Sequence, residues 1–64
     1  MKRSVTEVLP LSDALRIRSA ELWLEVREPF RALNELRNLS SEAWSNAWTL
    51  RVFQAANRDA CELS

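Results

Sequence analysis

No glycine occurs anywhere in this chain, and that absence constrains its fold more than any other feature. Two-residue β-hairpins depend on residues that tolerate positive φ, glycine above all. With none, and with only two prolines, the chain lacks the punctuation of a β protein. Leu, Ala, Arg and Glu dominate instead, and all four are good helix formers. The expectation is an all-α fold. Sixty-four residues supply one small domain and leave no room for a second core.

Hydrophobic residues make up 47% of the chain and charged residues 28%, so the composition is that of a folded domain and not of a disordered segment. Nine basic and nine acidic residues cancel. No overall field would draw in a nucleic acid or an anionic membrane. No apolar run approaches the roughly 18–20 residues that span a bilayer. A secreted domain this short would usually carry several disulfides, whereas Cys61 is the one cysteine here. The expected location is therefore the cytoplasm.

Residues 1–11 have no helical period and read as an extended leader, with residues 12–64 as a single helical domain. A first helix over about 13–27 is expected, with Ser12 as its cap and Asp13 against its positive end. Leu15, Ile17, Ala20, Leu22, Trp23, Leu24 and Val26 fill more than half of its circumference, so it should pack on two sides. Arg18, Glu21 and Glu25 fill the remaining strip. Pro29 forces Glu28 out of the α region and suits the first position of the next helix. That second helix is placed at about 29–39, with Phe30, Ala32, Leu33, Leu36 and Leu39 on its apolar half and an Arg31–Glu35 pair on the other. Ser40 and Ser41 then cap a third helix over about 42–57, stopped by Asn57. Apolar residues surround much of its axis, Trp44 and Trp48 among them. Self-association through this helix, docking onto another repeat protein, or origin as a fragment of a longer repeat chain is the expected account of them.

A repeat is visible across these helices. The segment from Ala20 to Ala32 ends a broad helix and starts an amphipathic one, and about 30 residues later Leu50 to Asp59 repeats its first part. An aromatic (Trp23, Phe53) stands four residues before a polar break (Arg27, Asn57) in each. Helix–turn–helix units near 34 residues characterise tetratricopeptide repeats. The chain resembles one such repeat plus the first helix of the next. Ala20 and Trp23 match the small and aromatic positions of the repeat's A helix, and Ala32 and Leu36 the small and large positions of its B helix. The pattern is broken at Arg16, Ser19, Leu39, Trp44 and Leu50. The resemblance implies an antiparallel helical hairpin plus a third helix, with Ala20 and Ala32 at the crossing. The alternative fold is a generic three-helix bundle.

In that family the A helices line a groove that binds partner peptides. Its positions would fall on Ile17, Arg18, Glu21, Leu24 and Glu25, and on Ala47, Trp48, Arg51 and Gln54. Trp44 joins them as a candidate anchor, since tryptophan is enriched in binding hot spots. The groove would be mixed in sign, unlike the basic clamp for a peptide carboxylate found in some chaperone-binding members.

Catalysis has little to work with. Glu21 and Glu25 are one turn apart, but the chain has no histidine and no glycine-rich loop to accompany them. Cys61 likewise has no histidine partner, and neither a metal cluster nor an intrachain disulfide can be assembled. No cofactor is expected. The function implied is non-enzymatic protein–protein interaction, with a second copy or another helical-repeat protein as partner. The rival is a small helical regulatory subunit, antitoxin-like or secretion-chaperone-like, acting as a bundle dimer.

Overall fold

The computed structural model describes residues 9–63; most of the expected leader, residues 1–8, lies outside them. Three α-helices account for most of the described chain: α1 (Leu11–Glu25), α2 (Pro29–Arg37) and α3 (Ala47–Leu63), with a 3₁₀ turn at Ser41–Ser45. No strand occurs among the described residues. The fold is all-α, a three-helix arrangement.

α1 opens at Leu11, earlier than the serine cap implied. Pro10, with φ −55° and ψ 145°, stands just outside it and accepts the first helical bond from the Ala14 N–H at 3.0 Å. Ser12 is exposed inside the first turn, and no side chain caps this end. Asp13 does not serve the helix end alone. It is 4% exposed, and its carboxylate accepts the Ser40 hydroxyl at 2.6 Å and the Ser40 N–H at 3.3 Å. That contact ties the start of α1 to the segment just beyond α2, so the two helices run antiparallel. Further along the pair, Arg16 meets Glu35 at 3.6 Å and Arg31 lies 5.1 Å from the centre of the Trp23 ring. Glu35 thus pairs across the hairpin, whereas Arg31 pairs with Glu28 at 3.7 Å. The expected Arg31–Glu35 pair gives way because α1 offers Glu35 a tertiary partner.

The α1–α2 turn is made without glycine. The Glu28 N–H donates to the Trp23 carbonyl at 2.8 Å and the Arg27 N–H to the Leu24 carbonyl at 3.1 Å. These are the two bonds of a Schellman motif. The motif needs one left-handed residue, and here it is Arg27, at φ 64°. A side chain at this position costs about 1–2 kcal/mol. Because the turn consumes Val26 to Glu28, α1 ends before Arg27. Pro29 then takes the first position of α2, is fully buried, and leaves Phe30 pointing outward at 58% exposure. Phe30 is accordingly not on the buried half of α2.

α2 closes at Arg37, so Leu39 leaves the helix but still reaches the core. The expected third helix divides in two. Ser41–Ser45 winds as 3₁₀, and α3 starts only after Asn46. The Asn46 side chain accepts the Trp48 N–H at 2.8 Å, and its carbonyl accepts the Leu50 N–H at 3.2 Å. Asn46, rather than Ser40 or Ser41, is the cap. At the other end, α3 continues through Asn57 to Leu63. Its buried face runs Thr49, Val52, Ala56, Ala60, and burying Ala60 outweighs the weak stopping tendency of an exposed Asn57.

The core is built from small residues. Ala20, Ala32, Ala43 and Ala56 are fully buried with Ile17 and Leu36, which lets three helix backbones approach closely. Trp23, Leu24, Leu33, Trp44, Trp48 and Phe53 pack around this centre and are only partly buried. Volume is thus supplied from the rim.

Candidate functional site: the α1–α3 groove

A hollow that touches the expected site residues runs between α1 and α3. Its volume is about 490 Å³, and α1 lines it with Arg18, Glu21, Leu24 and Glu25. α3 adds Trp48, Arg51, Val52 and Ala55. On α1 the polar members recur at i, i+3 and i+7, one helix face turned towards α3. On α3 the register is set by the Asn46 cap, which places Trp48 in the first turn.

Trp48 is held in place. Its indole N–H donates to a Glu21 carboxylate oxygen at 2.8 Å. Arg18 approaches the other oxygen of the same carboxylate at 3.8 Å. A bond to an ionised acceptor is stronger than a neutral one, so the partly buried ring is oriented and its rotamer freedom is reduced. The Arg18–Glu21 pair, with Arg18 exposed and Glu21 partly buried, adds little to stability. It does leave one guanidinium and one carboxylate at the groove rim, with Arg51 and Glu25 beside them. The surface offers an oriented aromatic, apolar floor residues in Leu24 and Val52, and charges of both signs.

Six of the ten residues singled out from the sequence meet here: Arg18, Glu21, Leu24, Glu25, Trp48 and Arg51. Ile17 does not. It has no exposed surface and belongs to the core, since it lies on the inward side of α1 with Ala20. Trp44 does not either, because it sits on the 3₁₀ turn and not one helical turn before Trp48. Its ring meets Phe53 edge-on, 5.1 Å between centroids and 88° between planes. Ala47 and Gln54 are exposed but do not line the hollow. Val52 and Ala55 do, and the i, i+4, i+7 spacing from Trp48 was the available signal for them.

Among the described residues, no group of three His, Cys, Asp or Glu is placed to hold a metal ion. Cys61 is exposed near the end of α3. No helix is long and apolar enough to cross a membrane among these residues. Comparison with models of known families, with curated proteins and with solved structures finds no match to this chain.

Proposed function

We propose that this chain is a non-enzymatic protein–protein interaction module of tetratricopeptide-repeat type, acting in the cytoplasm, with the α1–α3 groove as its binding surface. The observation that carries the reading is the groove itself, with Trp48 pre-oriented by Glu21 at its centre. A rigid aromatic beside exposed charges of both signs is the chemistry of a peptide-binding hot spot. The buried Ala20 and Ala32 in an antiparallel hairpin are consistent with the repeat resemblance.

Selection of peptides from a random library on the immobilised chain tests this. Selected peptides should lose about 10-fold or more in affinity on Trp48→Ala or Arg51→Glu, and little on changes to the far side of α1. Peptides indifferent to both groove substitutions would defeat the assignment. A second reading, the small regulatory subunit acting as a bundle dimer, draws on a different observation: the outward face of α1 is apolar, with Leu11, Leu15, Leu22 and, at the C-cap, Val26 each more than half exposed.

A further inference from the structure

On a 100° wheel the three exposed leucines of α1 and the exposed Val26 at its C-cap fall within a 60° arc, opposite the side that carries Ile17 and Ala20. Their order along the helix is symmetric. Leu11 and Val26 are equidistant from the midpoint between Arg18 and Ser19, and so are Leu15 and Leu22. At the midpoint the stripe carries no large aliphatic, only the small Ser19 on one side and the paired Arg18 on the other.

We infer that this face is a homodimer interface in which α1 of one copy lies antiparallel against α1 of a second. The two-fold axis passes between Arg18 and Ser19. With a rise of about 1.5 Å per residue, this axis sets Leu15 level with the partner's Leu22 and Leu11 level with the partner's Val26. An isologous contact requires such a self-complementary surface. A parallel pair would not use the symmetry, and an unrelated partner would not require it.

A second observation fits the same occupant. Beside the stripe is a hollow of about 340 Å³ lined by Ser19, Leu22, Trp23, Val26 and Glu35, its surface mostly apolar. It is centred near the level of Leu22, where the two-fold brings the partner's Leu15. Each copy thus presents a leucine knob and the hole that receives it. Arg18 and Glu21 share one flank of the stripe, so the dimer gathers two guanidinium and two carboxylate groups about the axis. The chain's net charge of zero adds no long-range repulsion between copies.

Sedimentation equilibrium of the full chain is the test. The wild type should dimerise, and Leu15→Glu and Leu22→Lys should each weaken the dimer about 30-fold or more. Both sites are exposed, so helical circular dichroism should be unchanged. An equimolar mixture of the two variants should recover the dimer, because the antiparallel pair sets the new glutamate against the new lysine. If either charged variant loses helix, Leu15→Ala and Leu22→Ala probe the same contact without charge. A wild-type chain still monomeric at about 1 mM, or variants that associate as tightly as wild type, would overturn the interface. A mixture no tighter than its separate components would overturn the antiparallel pairing. Peptide selection on monomeric Leu15→Glu chain reads the groove alone, so the two proposals fail separately.

Discussion

α1 and α3 are similar in length, 15 and 17 residues, yet they are organised in opposite ways. α3 is one-sided. Thr49, Val52, Ala56 and Ala60 face the core, Arg51, Gln54, Asn57, Arg58 and Glu62 face water, and Asn46 caps its start. α1 has two apolar faces and an uncapped start, and it is positioned from outside, by Ser40 on Asp13 and by Glu35 on Arg16. A helix with one apolar face encodes its own orientation. A helix with two does not, and something else must choose which face turns inward. In α1 the face turned inward carries Ile17 and Ala20, both without exposed surface, and the small Ala20 lets the neighbouring helices come close. The bulkier aliphatic face is left outside. Exposed apolar side chains therefore lie on α1 (Leu11, Leu15, Leu22) as well as on the third helix (Leu50, Leu63), where the sequence pattern placed them.

Each side of this contrast can be broken by substitution. The largest effect is expected at Ala20→Arg, which overpacks and charges the face that α1 turned inward. It should remove about 3–5 kcal/mol, enough to unfold a domain of this size, and loss of the cooperative thermal transition would register it. Retention of the wild-type melting point would mean that Ala20 does not set the orientation. Asp13→Ala comes next. It leaves the Ser40 donors without their carboxylate and should cost about 2 kcal/mol, read from the urea midpoint; an unchanged midpoint would show that α1 needs no external tie. Asn46→Ala tests the local start of α3 and should cost about 1 kcal/mol. Hydrogen exchange should report it as faster exchange in the first turn of α3, with α1 unaffected; uniform loss of protection would contradict a local role. The smallest effect is a gain. Arg27→Gly relieves a left-handed side chain and should stabilise by about 0.5–1 kcal/mol, seen as a higher melting temperature. A lower one would mean that the Arg27 side chain contributes more than its conformation costs.

Much of the groove could be found from sequence because three of its α1 members, Arg18, Glu21 and Glu25, lie on one charged strip and its α3 members on the turns from Trp48 onward. Of the four expected residues that miss it, Ile17 and Trp44 do so for different reasons. Ile17 stands within about 20° of Leu24 on the wheel, but the alanine-lined crossing draws the helices together over it. Trp44 depended on a helix start at Glu42, and Asn46 captured that start instead. An asparagine directly before an Ala-Trp helical run was the signal, and the serines upstream obscured it.

Without glycine, and rich in helix formers, the chain was bound to be helical, and Pro29 fixed the place of its first reversal because proline restricts the residue before it. Those are local steric facts, and they operate before any tertiary contact exists. Which face of α1 is buried, where α3 begins and ends, and that Arg27 is held in the left-handed region were decided only by the tertiary structure. Each depends on a comparison between local preferences of a few tenths to about 1 kcal/mol and packing contacts between residues distant in sequence. Burial of Ala20 and Ala60, and the bond from Ser40 to Asp13, join segments that local preference alone cannot bring together.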